Sequence, residues 1–205
     1  LAIGGAAQIP IWALRISYVG ELGWELYLDN DEKVGLPIFD AFLDAGVVPV
    51  GIETYATSRR LEKSFRLQGA DLETEYNAYE SAVDRPKIKT AQFVGKDAYL
   101  RQRSEEPAAI LCTMTLDTLA VAGAAPRYPV GTWPILDPSS KQVLIDEHGR
   151  RSYATSTSYC PSLRQHVVMG YLPRHRAQLG SKLVLEYFDT AGDGHYPMTV
   201  RVVGR

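Results

Sequence analysis

The chain lacks several features that mark particular classes of protein. It has only two cysteines in 205 residues, Cys112 and Cys160, and neither lies in a C-x-x-C or other metal-ligand spacing. Lys plus Arg number 22 and Asp plus Glu number 24, so there is no basic field to attract nucleic acid or an anionic membrane. No apolar run is long enough to span a membrane, and the first residues lack the pattern of a secretory signal. We therefore expect a cytoplasmic protein without nucleic-acid or membrane partners.

Motifs for nucleophilic or metal chemistry are also missing from the sequence. There is no Gly-x-Ser-x-Gly elbow, and neither cysteine has a histidine in a known local signature. His166 and His175 are too irregularly spaced to predict a metal site. Cys112 lies in the run AAILCTMTL, which predicts a buried thiol in a strand. The AGDG run at 191–194 predicts a hairpin turn and not a phosphate loop, because no helix follows it.

The stretch LRISYVGELGWELYL, from Leu14 to Leu28, is the most informative part of the sequence. Alternating side chains predict a strand from Leu14 to Val19 and a second strand from Trp24 to Leu28. Gly20 and Gly23 allow a bulge or turn between them, which brings Glu21 or Glu25 to one face. Two interpretations remain open from spacing alone. Either an aromatic ring and a carboxylate hold a flat heterocycle here, or the glycines mark a hairpin and the acids are solvated.

The rest of the first half predicts two helices and an acidic loop. Asp31 is a helix-cap signal, and apolar spacing predicts a helix over about 31–45 that Gly46 ends, with Pro37 marking its first turn or a break. A second helix is predicted over about 53–62, with Arg59, Arg60 and Glu62 in a solvated salt-bridge cluster. The segment 68–86, which contains Asp71 and Glu80, either lines a polar pocket or forms a surface loop, and its composition favours the surface loop.

The second half changes in character. The segment 93–103 predicts a turn and a helix, and the charged run 101–108 that contains Pro107 is the predicted domain boundary. Beyond it, six short apolar runs are separated by Gly, Pro, Asp and Ser, a pattern typical of a small antiparallel barrel or sandwich. These runs are AAILCTMTLD, YPVGTWPIL, KQVLIDEHG, HVVMGYLP, SKLVLEYFD and YPMTVRVVG.

Five motifs occur in the order found in a known family. LRISYVGELGWELYL resembles Tyr-x-Gly-Glu-x-Gly-x-Glu, and SRRLEKSFRLQGADL (58–72) resembles Ser-Leu-Arg-Leu-Glu-x-Gly-x-x-x-x-Gly-x-Asp-Leu. NAYESAV (77–83) resembles Thr-Pro-x-Glu-Ala-Gly-Leu, FVGKDAYLRQR (93–103) resembles Phe-x-Gly-Lys-x-Ala-Leu, and YCPSLRQHVVMGYLP (159–173) resembles Ser-Pro-(x)n-Gly-Tyr-Val. Together they resemble the folate-dependent aminomethyltransferase family, which includes the glycine-cleavage T-protein. The wording of the first two motifs is most like the folate domains of dimethylglycine and sarcosine dehydrogenases.

The resemblance implies an α+β fold and an enzyme of one-carbon metabolism. Residues 1–105 are expected to form the C-terminal half of a folate-binding core, and residues 106–205 a small all-β barrel or sandwich domain. The implied cofactor is tetrahydrofolate, with Tyr18 contacting the pterin ring and Glu25 accepting from its N–H groups. The implied donor is a small-molecule methylamine or methyl compound.

The resemblance also implies that part of the site lies elsewhere. The N-terminal half of the core, with the family's catalytic aspartate, is expected to precede this sequence, so that the chain is a fragment and no catalytic residue is assigned in it. FAD is expected only if an oxidase half is fused to the chain or partners it. Two alternatives remain open: a folate-dependent O- or S-demethylase, and a non-catalytic folate-binding or assembly module.

The chain departs from the family pattern at several positions. Ala56 stands where the T-protein carries a folate-contacting arginine. The Thr-Pro-x-Glu-Ala-Gly segment has become NAYESA at 77–82, and Phe188 replaces a late basic residue. These changes indicate a different donor or a weakened folate site.

Overall fold

The computed structural model describes residues 9–83, 90–117, 131–188 and 194–205. Its strands are β1 (Trp12–Leu14), β2 (Glu25–Tyr27), β3 (Ala109–Leu116), β4 (Ile135–Leu136), β5 (Ala154–Cys160), β6 (Gln165–Pro173), β7 (Lys182–Phe188) and β8 (His195–Gly204). Its helices are α1 (Glu32–Asp44), a π-helix (Thr54–Arg59) that continues into α2 (Arg60–Glu62), α3 (Lys96–Ser104) and a 3-10 turn (Arg174–Arg176). No helix in these described ranges is long and apolar enough to cross a membrane.

Strands β3 to β8 form one antiparallel sheet in the order β4-β7-β8-β3-β6-β5. The outer strand β5 also bonds to the segment that leads into β4, where the Ala154 amide donates to the Trp133 carbonyl over 2.8 Å. The Ile135 amide likewise donates to the Ser152 carbonyl over 3.0 Å. These bonds join the two outer strands, so that the sheet curls round on itself. The α+β class with an antiparallel β unit is confirmed.

The interior of the curled sheet is the main core of the molecule. Alternate side chains of β3, β7 and β8 point into it, as the period of two in a strand requires. Its fully buried members include Cys112, Met114, Leu183, Leu185 and Val200. The predicted burial of Cys112 is therefore confirmed. A second apolar cluster, which includes Leu61, Tyr76, Leu111 and Tyr171, lies on the opposite face of β3 and β6 and joins the sheet to the first half of the chain.

Helix α1 forms as the sequence predicts. The Asp31 side chain accepts from the Lys33 amide over 2.9 Å and so caps the helix. Gly46 follows the last turn with a φ of +81°, a left-handed backbone that glycine adopts without strain. Pro37 lies inside the helix and does not break it. The segment 47–50 is a loop, and α3 confirms the helix predicted within 93–103.

The prediction of a strand from Leu14 to Val19 was wrong beyond its first residue. Strand β1 ends at Leu14, and residues 18–22 form a bend. Gly20 has a φ of +72°, which turns the chain there. The Tyr18 ring packs on Tyr55 and Phe65 instead of alternating along a strand. Tertiary aromatic contacts have therefore overridden the local strand pattern.

Two predictions of solvated charge were also wrong. Arg60 is 1% exposed and Asp71 is 0% exposed, and they form an ion pair of 2.5 Å. Glu80 is 2% exposed and pairs with Arg150. These groups are buried because the sheet covers them. Their partners Arg150 and Ser156 lie about 70 to 100 residues away along the chain.

Among the predicted β runs, 141–149 forms only isolated bridges, and β5 was not predicted. The run 128–136 falls partly, and the turn at 191–194 mostly, outside the described residues.

Candidate functional site

Tyr18 is held firmly by the segment that follows the π-helix. Its hydroxyl donates to the Arg66 carbonyl over 2.6 Å. Its ring stacks on Phe65 at a centroid distance of 6.0 Å and tilts against Tyr55 at 5.5 Å. Burial raises the pKa of Tyr18 above its ordinary value. Because the hydroxyl already donates to an acceptor, the ring is the part of Tyr18 that can contact a ligand.

Glu25 lies on a more open surface. The register of β1 and β2 sets Glu25 opposite Leu14 and Tyr27 opposite Trp12, so that these four side chains share one face of the hairpin. The Tyr27 hydroxyl donates to Glu25 Oε2 over 2.7 Å, and this hydrogen bond raises the pKa of Tyr27. Within the described ranges no hydrogen bond reaches Glu25 Oε1. The carboxylate therefore keeps an oxygen for an N–H donor.

A cavity of about 230 Å³ opens on the same hairpin. Its lining residues are Pro10, Trp12, Tyr27, Leu28 and Asp29. Trp12 is 78% exposed, which leaves a large ring face without cover in the described part of the chain. Aromatic faces beside a carboxylate suit a flat ring that carries N–H groups.

The turn between Tyr18 and Glu25 rests on helix α2. A Cβ atom added at Gly20 would overlap the Lys63 side chain, so only glycine allows this close approach. Glu21, on the same turn, accepts from Arg59 Nη2 over 2.6 Å. Tyr18 and Glu25 lie on either side of this turn, and no hydrogen bond or ring contact joins them in the described part of the chain. The structure therefore separates the two residues that the sequence singles out into an anchored ring and an open carboxylate.

Sequence reasoning did not assign Tyr27 to the site, and it placed Arg59 only in a salt-bridge cluster with Glu62, a pair that does form. Tyr27 follows Glu25 by two residues in a strand, so the shared face was readable from the sequence. Arg59 gave no comparable signal, because its partners Glu21 and Ser162 are 38 and 103 residues away.

The described part of the chain contains two buried polar networks outside the hairpin. Arg60 donates to Asp71, Ser156 and the carbonyls of Ala56 and Phe65. Arg150 pairs with Glu80 and Asp146, and its guanidinium lies 4.3 Å from the centroid of the Tyr76 ring. Each buried charge thus has an opposite charge and further hydrogen bonds, as burial demands.

Metal and thiol chemistry find no support in the described ranges. No group of three or more His, Cys, Asp or Glu side chains there is arranged to hold a metal ion. Cys112 and Cys160 are free and buried, and desolvation raises the pKa of each thiol to about 12. The structure provides no activated thiolate in either position.

Comparison with known proteins identifies relatives over nearly the whole chain. Residues 3–86 match the family model described as the GCVT N-terminal domain. Dimethylglycine dehydrogenase, mitochondrial, from Homo sapiens is 30% identical over 186 residues, which is 88% of this chain and 19% of the relative. An aminomethyltransferase from Halothermothrix orenii is 29% identical over 174 residues, or 83% of this chain and 44% of the relative. The chain therefore spans less than half the length of the curated relatives it matches.

The fold has a solved counterpart. The crystal structure of the glycine cleavage system aminomethyltransferase T from Bartonella henselae matches with a TM-score of 0.74 at 22% identity, covering 94% of this chain and 48% of that chain. At this identity the match shows the fold alone. The resemblance predicted from the five sequence motifs is confirmed, and the chain is related to the aminomethyltransferases of the glycine-cleavage T-protein type and to the dimethylglycine dehydrogenases.

Proposed function

We propose that this chain is part of a tetrahydrofolate-dependent one-carbon transferase, most like the folate domain of the dimethylglycine and sarcosine dehydrogenases. In this proposal the Tyr18 ring contacts the pterin, and Glu25 accepts hydrogen bonds from the N–H groups at its edge. The observation that carries the proposal is that no hydrogen bond in the described ranges reaches Glu25 Oε1 on the open hairpin face, while Tyr27 holds the other carboxylate oxygen.

The residues present suit a pterin in two respects. The hairpin offers an aromatic ring at Trp12 beside the carboxylate, and the cavity there is lined by Tyr27 and Asp29. A charged hydrogen bond to a carboxylate contributes roughly 1.5–3 kcal/mol, against about 1 kcal/mol for a neutral one. Reduced folate supplies the acceptor for the one-carbon unit. Glu25 and Tyr18 would orient it and leave the reacting nitrogen to groups outside this chain.

We further propose that the site is completed by the N-terminal half of an aminomethyltransferase core. Support comes from exposed apolar side chains concentrated in the first quarter of the chain. Trp12, Val48 and Ile52 are 78%, 78% and 74% exposed. A large apolar surface of this kind usually marks a contact with another segment or protein. In this division, residues 1–105 belong to the core and residues 106–205 form the β domain.

The test of Glu25 is isothermal titration calorimetry with tetrahydrofolate, on this chain and on a form extended at its N-terminus by the missing half. We expect binding in the extended form. Replacing Glu25→Gln should weaken it by one to two orders of magnitude, roughly 1.4–2.8 kcal/mol. Glu105→Gln, an exposed acid after α3, is the matched control and should leave the affinity unchanged. Unchanged affinity in Glu25→Gln would overturn the role of that residue.

The donor is proposed to be a methylated amine, in keeping with the names of the dehydrogenase relatives. A flavin enters the proposal only through a fused or partner oxidase half. A folate-dependent O- or S-demethylase remains the alternative enzyme, because Ala56 at the position of the T-protein arginine indicates either a different donor or a weakened folate site. Turnover assays with amine, ether and thioether donors distinguish these cases. Absence of folate binding in both forms of the protein would favour a non-catalytic module.

The cytoplasmic location remains a prediction.

A further inference from the structure

Arg59 makes contacts to three separate elements of the molecule. Its Nη2 donates to Glu21 Oε1 over 2.6 Å, on the turn between Tyr18 and Glu25. Its Nη1 donates to Glu62 Oε2 over 3.1 Å and to Ser162 Oγ over 2.6 Å. Ser162 lies at the tip of the β5–β6 hairpin, and its amide donates to Glu62 Oε1 over 2.8 Å. One guanidinium thus joins the turn, helix α2 and the β domain.

The turn that Arg59 contacts needs an external restraint. Gly20 and Gly23 give its backbone more freedom than other residues would. The Glu21 side chain is 62% exposed, and the Arg59 contact is the one ion pair it makes in the described part of the chain. A shift of the turn moves the start of β2, and Glu25 is the first residue of that strand.

The geometry of the cluster favours a persistent tether over a transient surface pair. Isolated exposed pairs contribute little, because solvent screens them and side-chain entropy opposes them. Here the Glu62 side chain is only 7% exposed and Arg59 is 24% exposed. Both oxygens of Glu62 are in use, one by Arg59 and one by the Ser162 amide. The planar fork of arginine can serve several acceptors at once, which lysine cannot match.

Arg59 stands where the Ser-Leu-Arg-Leu-Glu motif has leucine, which has no charge to hold Glu21. We propose that Arg59 is a positioning residue that fixes the Gly20–Gly23 turn through Glu21, and through it the orientation of Glu25 toward folate. This inference rests on the proposed folate site. It places a further determinant of folate affinity at the end of the π-helix, outside the hairpin that carries Glu25.

The first experiment measures tetrahydrofolate affinity by calorimetry in the N-terminally extended protein. Arg59→Leu and Glu21→Gln should each weaken binding by about two- to fivefold, a size expected for the loss of an ion pair whose carboxylate is largely exposed. The double variant Glu21→Gln with Arg59→Leu should lose no more affinity than either single variant, because both single variants break the same ion pair. Arg59→Lys should restore part of the affinity that Arg59→Leu loses. Losses that add in the double variant would show that Arg59 does not act through Glu21 and would overturn the proposal.

Matched variants separate this role from general stabilisation. Arg176 is similarly exposed, at 29%, and pairs with Asp137 over 2.6 Å in the β domain. Arg176→Leu should not change folate affinity. Ser162→Ala removes the hairpin contact of Arg59 and keeps the one with Glu21, so its effect should be below about twofold. A loss in Ser162→Ala as large as that in Arg59→Leu would show that Arg59 acts through the hairpin and would overturn the proposal.

Hydrogen exchange gives an independent measurement. The amides of residues 18–23 should exchange faster in Arg59→Leu than in the wild type, whereas those of β3 should be unchanged. If the wild type does not bind folate, the proposed function and this inference both fail. If Glu25→Gln weakens binding while Arg59→Leu binds as the wild type does, this inference alone fails.

Discussion

The curled sheet of β3 to β8 and the first quarter of the chain differ in how far their apolar side chains are buried. In the curled sheet, Leu183, Leu185 and Val200 are completely buried. Between residues 12 and 55, most of the large apolar side chains are at least 40% exposed. They are Trp12, Leu14, Ile16, Leu22, Trp24, Tyr27, Leu36, Phe39, Leu43, Val47, Val48, Val50, Ile52 and Tyr55.

The sheet buries its own core, whereas the described part of the first quarter leaves an open apolar surface. Hydrogen bonds between the outer strands close the sheet, so its apolar side chains pack against one another within a segment of about a hundred residues. The short hairpin of β1 and β2 has only three residue pairs and cannot cover its own face. The proposed ligand groups lie on that hairpin and its turn. The open surface and the proposed site therefore belong to the same part of the chain.

The buried pair of Arg60 and Asp71 connects the two regions and should give the largest effect. Asp71→Ala leaves the Arg60 guanidinium buried without an opposite charge, which is expected to cost about 3–5 kcal/mol of unfolding free energy. The control is Asp117→Ala, which removes an exposed pair with Arg201 of 3.0 Å and should cost less than about 1 kcal/mol. Urea unfolding measures both. Equal losses in the two variants would contradict a special role for the buried pair.

The contrast in apolar burial is tested by truncating one residue on each side. Leu185→Ala should cost about 2–5 kcal/mol, because it leaves a cavity in the core of the sheet. Phe39→Ala should change the stability of this chain by less than about 0.5 kcal/mol, since Phe39 is 52% exposed.

The sharper comparison repeats Phe39→Ala in the N-terminally extended protein. There the same substitution should cost roughly 2 kcal/mol if the proposed N-terminal half of the core covers the ring. Urea unfolding curves of both forms measure the cost of Phe39→Ala in unfolding free energy. A negligible cost in both forms would argue against the proposed packing of the two halves on this face.

Local patterns in the sequence were enough to predict helix α1 and most long strands of the curled sheet. Alternation predicted β3, β6, β7 and β8, and the Asp31 cap with Gly46 bounded α1. Strand β5, ATSTSYC, was missed because its inward positions are small or polar and look unlike a core strand. The site is harder to predict, since Tyr18 and Arg59 depend on partners far along the chain.

A smaller effect on stability is expected at two positions where the family pattern has glycine and this chain has another residue. Ser64 and Ala82 occupy these positions with φ of +56° and +53°. A left-handed backbone costs a non-glycine residue roughly 1–2 kcal/mol, so Ala82→Gly should stabilise the protein by about 1 kcal/mol after the entropy of glycine is counted. Ala78→Gly, in the same loop at an ordinary φ, should instead destabilise it. Thermal unfolding measures both, and destabilisation by Ala82→Gly would contradict the assigned strain.

Ser64→Gly is expected to gain less than Ala82→Gly. The Thr113 hydroxyl donates to Ser64 Oγ over 2.8 Å, and the substitution removes that acceptor. The lost hydrogen bond, worth about 1 kcal/mol, offsets most of the relieved strain. A gain equal to that of Ala82→Gly would mean that the hydrogen bond contributes little.

The two cysteines allow local unfolding of two parts of the structure to be compared without any substitution. Both are buried with thiol pKa values of about 12, so neither should react with a thiol reagent at pH 8 in the native protein. Cys160 lies under the end of the π-helix, with its thiol donating to the Ser58 carbonyl over 3.5 Å, whereas Cys112 lies inside the curled sheet. Under mild urea, local opening of the helix should expose Cys160 first, while Cys112 should react only when the sheet unfolds. Equal reaction rates, followed by mass spectrometry, would mean that the helix and the sheet open as one cooperative unit.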